Sequence, residues 1–196
     1  MAERAGWTIA DVVAATSGEL KGNPAHELAG VSIDSRTVER GDIFVAIRGD
    51  RFDGHDFAAA ALKAGAELAI VSRVTPEMEE AGALLIVPDP LRALEDLGRH
   101  QRGRSGAQIV AITGSVGKTS TKDILRHALS SSGKTHASAS SFNNHWGVPL
   151  SLARMGRDTA YGVFEIGMNH AGEITPLVRM VRPHVAIITA IAPSHL

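Results

Sequence analysis

Residues 108–122 read QIVAITGSVGKTSTK, and no other stretch restricts the possible folds of this chain so tightly. An apolar β-type run, Ile109-Val110-Ala111-Ile112, stops at Thr113-Gly114. A short glycine-bearing loop follows, and Lys118-Thr119 then open the helix-compatible segment Asp123-Ile124-Leu125-Arg126-His127-Ala128-Leu129. Strand, glycine loop, Lys-Thr and helix is the layout of a phosphate-binding loop. Glycines let backbone N–H groups turn inward on a phosphate, and the helix N-terminus adds partial positive charge. In this reading Gly114, Ser115, Val116, Gly117, Lys118, Thr119 and Ser120 form the nucleotide-binding set. Lys118 reaches the terminal phosphates and the Thr119 hydroxyl holds a magnesium ion. The pattern G-x-x-x-x-G-K-[ST] asks for glycine where this chain has Ile112, so the loop is entered through Gly114 instead. A glycine-rich turn that merely carries a lysine is the alternative. The loop's place between strand and helix favours a nucleoside triphosphate.

Composition narrows the rest by exclusion. A net charge of −1 provides no general attraction to nucleic acid or to an anionic membrane surface. Cysteine is absent, which removes disulfides, thiolate nucleophiles and cysteine metal sites and agrees with a cytoplasmic setting. The opening residues MAERAGWTIADVV carry charges of both signs and no long apolar core, unlike a signal peptide. The most apolar run, residues 185–192, is too short to cross a bilayer, so no membrane insertion is expected. A length of 196 residues suits one large or two small domains.

Taken in order, residues 7–20 show helical apolar spacing with Thr8 as a cap. Strands are expected at 31–36, 43–47, 68–72 and 84–87, and helices at 56–64 and 91–100. A glycine- and charge-rich loop, RGDRFDGH, fills 48–55. Residues 102–106 read as a linker, and Arg99, Arg102 and Arg104 as solvated. Beyond the phosphate loop come a weak strand at 135–139, a loop and then a helix over 144–155, and a clear strand at 161–166. A helix at 172–181 and a buried strand at 185–191 complete the pattern. Alternation of this kind predicts an α/β fold: a small N-terminal α/β domain over 1–103, then a phosphate-loop α/β domain with a mostly parallel sheet over 104–196.

Ligands of open parallel sheets gather beyond the carboxyl ends of the strands. That rule selects Glu165 at the end of one strand, the following Gly167-Met168-Asn169-His170, and His195 after the last strand. A triphosphate enzyme needs an acidic group opposite its lysine to hold magnesium, and Glu165 is the best placed. Asn143-Asn144 reads by default as a turn or a helix N-cap pair, and Asp34-Ser35-Arg36 as a strand-end turn with a surface arginine.

Several pieces then resemble the Mur ligase family. TGSVGKTSTK (113–122), SFNNHWGVPLSLARM (141–155), FEIGMNHAGEI (164–174) and APSHL (192–196) are similar to its central domain. Residues 34–66 resemble the N-terminal UDP-binding domain shared by its last two peptide-adding members. The FNN-x-x-GVP and G-x-NH-x-GEI pieces resemble the final one. The family's own pattern, T-G-[ST]-x-G-K-[ST], accounts for the absence of the first glycine.

The resemblance implies an ATP- and Mg2+-dependent ligase. ATP phosphorylates the terminal carboxylate of UDP-N-acetylmuramoyl-tripeptide, and D-alanyl-D-alanine attacks the acyl phosphate to form an amide. Lys118 and the loop N–H groups would hold the β- and γ-phosphates, Thr119 and Glu165 a magnesium ion, and His195 a second one. Ser35 and Arg36 would meet the UDP portion, helped by Asp53, Gly54 and His55. Asn143, Asn144, Asn169 and His170 would line the cleft where carboxylate and γ-phosphate meet. The family continues well past the A-x-x-H-L motif. That later part carries the carbamylated lysine, most adenine contacts and much of the amine site. The expectation is therefore a fragment that binds the UDP substrate without ligating alone, with an unfinished sheet edge and an uncovered apolar surface. A non-catalytic binding module and the preceding ligase of the family are the alternatives, the latter opposed by FNN-x-x-GVP. A regulatory GTPase would need an N-K-x-D motif, which the sequence lacks.

Overall fold

The computed structural model describes residues 5–49, 51–139, 142–168 and 170–192. The chain forms two compact units that divide between Leu97 and Gly98. No helix among the described residues is long and apolar enough to cross a membrane.

The first unit runs β1 (Trp7–Thr8), α1 (Ile9–Thr16), β2 (Glu19–Lys21), β3 (Glu27–Leu28), β4 (Val31–Ser32) and β5 (Ile43–Val45). It continues through α2 (Ala58–Ala64), β6 (Leu68–Val71), α3 (Pro76–Ala81) and β7 (Ala83–Ile86) into α4 (Pro90–Arg104). Its main sheet has the order β2-β7-β6-β5-β4, parallel apart from β2, while β1 and β3 pair separately. Every residue of β6 is fully buried, as expected of a parallel strand covered on both faces. On one face Phe44, Ala69, Val71 and Leu84 pack against Ala58, Ala61 and Leu62 of α2 and Met78 of α3. The alanines of α2 let its backbone lie close to the sheet.

Three local expectations change in this unit, and a fourth where α4 runs on into the second. Helix α1 stops at Thr16 rather than residue 20, because Ser17 turns left-handed (φ 55°) and residues 19–21 pair with β7. Its start is as read: the Thr8 hydroxyl accepts from Asp11 N–H while the Asp11 carboxylate accepts from Thr8 N–H. The strand expected over 31–36 is cut to Val31–Ser32, since Asp34 caps a 3₁₀ turn at Ser35–Thr37. Helix α3 was not expected, although Thr75-Pro76 is a legible N-cap and first-turn proline.

The fourth change concerns α4, which continues to Arg104 through the expected linker. Arg102 is 7% exposed instead of solvated.

The second unit contains β8 (Gln108–Thr113), α5 (Lys118–Ser130), β9 (Thr135–Ala137), α6 (Gly147–Arg154), β10 (Tyr161–Glu165), α7 (Ile174–Val181) and β11 (Val185–Ile188). All four strands are parallel in the order β11-β8-β10-β9. Side chains alternate across the sheet. Ile109, Ala111 and Phe164 pack with Val148 and Leu152 of α6 and Leu177, Met180 and Val181 of α7. Glu165, one residue on from Phe164 and in register with Ile112, therefore projects to the opposite face, where α5 lies against β8, β9 and β10.

The chain leaves β8 for β9 and β10 on one side and returns to β11 on the other, so strand order switches at β8. In open parallel sheets ligands bind outside the carboxyl ends of the strands at such a switch. Arg102 fixes the far end of α7: Nε donates to Val181 O at 2.7 Å and Nη2 to Arg182 O at 2.9 Å. These are carbonyls that a helix end leaves without intrahelical partners. The last strand is shorter and more open than expected. Among the described residues it pairs with β8 alone, and Val185 and Ile188 are 54% and 63% exposed, as befits an edge strand.

Candidate functional site

The loop between β8 and α5 takes its shape from two glycines. Gly114 (φ 135°) and Gly117 (φ 83°) both occupy left-handed backbone space. At Gly114 a Cβ would also stand 2.2 Å from Thr189 Oγ1 and 2.9 Å from Ala190 O, so a side chain is sterically excluded. Gly117 is the N-cap of α5 and no side chain caps this helix, which leaves its first-turn N–H groups facing outward. Lys118 Nζ lies across the loop, 2.7 Å from Gly114 O and 3.4 Å from Ser115 O. Val116 is exposed at the tip, and Thr119 and Ser120 are exposed on the first turn. Ser115 is committed elsewhere. Its N–H donates to Ala190 O at 2.7 Å, and its hydroxyl donates to Ala192 O at 2.9 Å and accepts from Ala192 N–H.

Glu165 closes the opposite side. It is 4% exposed and bracketed by two donors: Thr119 Oγ1 reaches Oε2 at 3.0 Å and Asn143 Nδ2 reaches Oε1 at 2.8 Å. Its own N–H donates to Ser138 Oγ. The paired asparagines divide their work. Asn143 holds the carboxylate, with its carbonyl accepting from Gly167 N–H, whereas Asn144 Oδ1 accepts from Gly147 N–H at the start of α6. His170 is exposed and pairs with Glu173 at 3.1 Å. Asn169 and His195 lie outside the described residues. Among the described residues no three His, Asp or Glu side chains gather as a metal cage. The donors that do meet, a hydroxyl and a carboxylate, are hard oxygens of the kind magnesium takes.

Two residues of this arrangement were not singled out from the sequence, Ser138 and Thr189. A short polar residue just past a strand gives no signal of its own. Only the parallel register brings Ser138 beside Glu165, and Thr189 beside the loop.

In the first unit, the expected substrate residues follow β4 and β5. These adjacent parallel strands deliver their loops to one edge of the sheet. Ser35 and Arg36 sit in the 3₁₀ turn, and the exposed Arg36 fork grips Asp34 through Nε at 2.9 Å and Nη2 at 2.6 Å. Asp53, Gly54 and His55 build the neighbouring loop. Gly54 N–H donates to Ile47 O. The buried His55 accepts Ser72 N–H at Nε2 (2.9 Å), so its proton sits on Nδ1, 2.6 Å from Asp53 Oδ1. Arg73 reaches Asp53 Oδ2 at 2.8 Å and Asp56 at 2.9 Å. Asp53 and His55 are thus scaffold for the loop, and Arg36 is the exposed cation of the set, its fork resting on Asp34.

Burial raises the Asp53 pKa, but hydrogen bonds from His55 N–H and ring, with Arg73, outweigh it and bring the value down to about 2. A depressed carboxylate stabilises the fold above its unfolded pKa, and that contribution is lost as pH falls through the folded one. Asp53→Asn should therefore cost most stability above about pH 4, with the gap to the parent closing toward about pH 2. Urea denaturation across that interval measures it. A gap that stays constant would contradict the assignment.

Comparison with known proteins gives two family matches. Residues 112–196 match the Mur ligase middle domain, and residues 27–102 match the Mur ligase family, catalytic domain. The UDP-N-acetylmuramoyl-tripeptide–D-alanyl-D-alanine ligase of Rickettsia prowazekii is 42% identical over 166 residues, covering 85% of this chain and 36% of that protein. Its Bacillus subtilis counterpart is 36% identical over 192 residues, covering 96% and 42%. Among solved structures, a crystal structure of MurF from Acinetobacter baumannii superposes with a TM-score of 0.88 at 37% identity, covering 99% of this chain and 42% of that one. The MurF ligase from Thermotoga maritima in complex with ADP gives 0.71 at 32%, covering 85% and 38%. The chain spans about two fifths of the length of these relatives.

Proposed function

The chain belongs to the Mur ligase family, and from that premise we propose that it carries the UDP-substrate unit and the phosphate-loop unit of the ligase that joins D-alanyl-D-alanine to UDP-N-acetylmuramoyl-tripeptide using ATP. The observation that supports this most directly is Glu165, buried and held between Thr119 and Asn143 opposite an uncapped, glycine-entered helix.

The reaction brings two anions together, the terminal carboxylate of the tripeptide and the γ-phosphate of ATP. A carboxylate oxygen attacks phosphorus, the bond to ADP breaks, and an acyl phosphate results. The amine of D-alanyl-D-alanine then attacks the acyl carbon, phosphate leaves with the bonding pair, and the nitrogen loses a proton. Each step concentrates negative charge, so the groups needed are preset positive ends. Lys118 supplies a full charge, and the free N–H groups at the start of α5 supply the helix dipole. Thr119 and Glu165 would hold magnesium, which when bound adds positive charge beside the phosphates. Asn143 keeps Glu165 from turning away. His195 and Asn169 are assigned by sequence to a second magnesium and to the cleft. In the first unit, Ser35 and the Arg36 fork would take the diphosphate side of UDP, on a base set by the Asp53–His55–Ser72 network.

Calorimetric titration of the chain with UDP-N-acetylmuramoyl-tripeptide, and separately with Mg-ATP, tests the reading. Arg36→Ala should weaken the UDP ligand by about tenfold or more and leave Mg-ATP unaffected. A folded chain that binds neither ligand would sink the proposal.

A further inference from the structure

The phosphate loop is not self-supporting. Its outer rim is fastened to residues 189–192, the segment just past β11. Thr189 is the centre of that attachment: its N–H donates to Thr113 O at 3.0 Å, and Oγ1 lies 2.6 Å from Val116 O and 3.2 Å from Thr113 O. The shorter contact marks Val116 O as the acceptor of the hydroxyl proton.

A trans peptide is planar, with its C=O and the following N–H pointing in opposite directions. Fixing Val116 O on Thr189 therefore turns the Gly117 N–H away from Thr189. That N–H has no acceptor among the described residues, and it belongs to the left-handed N-cap of α5. The same geometry acts two peptides earlier: Lys118 Nζ holds Gly114 O, and the Ser115 N–H turns to Ala190 O. The two peptides thus differ in use, the Ser115 N–H spent on the rim and the Gly117 N–H left for a ligand.

We propose that Thr189 is a positioning residue for nucleotide binding: its hydroxyl, through Val116 O, aims the Gly117 N–H at a phosphate oxygen. The inference rests on the nucleotide reading of the loop. Valine is the discriminating substitution, because it keeps the shape of threonine and the backbone bond to Thr113 while removing the hydroxyl. Thr189→Val should weaken Mg-ADP by about tenfold, the worth of one hydrogen bond to a charged group. Thr189→Ser, which restores the hydroxyl, should stay within about threefold of the parent. In nitrogen–proton correlation spectra, the Gly117 amide should shift on Mg-ADP addition in the parent and the serine variant, and respond weakly in the valine variant. This resonance separates aiming from general loss of stability, since a folded valine variant titrates at the amide or does not. Parent-like affinity of Thr189→Val, or serine as weak as valine, overturns the proposal while leaving nucleotide binding intact. If the parent chain itself fails to bind Mg-ADP, the nucleotide reading falls and the positioning role with it.

Discussion

Lys118→Ala should reduce Mg-ATP affinity by about a hundredfold or more, with little change in the stability of the fold. Lys118 projects from the first residue of α5 over the loop, and its ammonium is held by two carbonyls, Gly114 O and Ser115 O. Those carbonyls orient the charge without neutralising it, because no carboxylate pairs with Lys118 among the described residues. A charge-assisted bond to phosphate is worth roughly twice a neutral one, and here it would operate beside a helix N-terminus of the same sign. Removing it takes away the only full positive charge on the loop from 113 to 120. Arginine should not rescue, since its planar fork cannot follow the path of a point charge across two carbonyls. Calorimetry with Mg-ATP gives the affinity and a melting curve the stability. An alanine variant that binds as the parent does would remove Lys118 from the site.

The largest effect on stability is expected at Arg102→Ala, about 2–4 kcal/mol for the second unit. Its guanidinium is almost wholly covered and donates to Val181 O, Arg182 O and Ser105 O. Truncation leaves the terminal carbonyls of α7 short of partners in a space that water does not readily fill. Arg182 answers the contact by donating from Nη2 to Arg102 O, so each arginine satisfies the other's backbone. Arg102→Lys should recover only a minor part, because an ammonium cannot reach two carbonyls in a fixed fork. Urea denaturation followed by circular dichroism measures the change, and a loss under about 0.5 kcal/mol would make Arg102 an ordinary surface residue.

Much of this arrangement was legible in the sequence, and the reasons for what was not are local. The turn between β8 and α5 could be read because glycines at fixed offsets before Lys-Thr mark a strand–loop–helix. Glu165 could be placed because the apolar strand before it fixed which end of the sheet it occupied. Arg102 could not, since nothing in GRHQRGR distinguishes a solvated arginine from one that forks onto a helix end about eighty residues later. The end of α1 was hidden for a related reason: Leu20 satisfies both a helical period and a strand. Only the left-handed Ser17 and pairing with β7 decide between them. Ser138 and Thr189 gave no signal because they act through hydroxyls whose partners lie 27 and 73 residues away.

That last separation has a kinetic meaning. The hydroxyl of Thr189 and the Ser115–Ala192 pair close chain loops of 73 and 77 residues around the phosphate loop. Closing a loop of that length is entropically slow relative to forming the local turn itself. A strand–turn–helix can therefore assemble early with the right residues in the wrong peptide orientation. Its peptides are expected to reach their final orientation when β11 pairs with β8 and brings Thr189 to Val116 O. The final shape of the turn is then expected to depend on β11, a strand about seventy residues further along the chain.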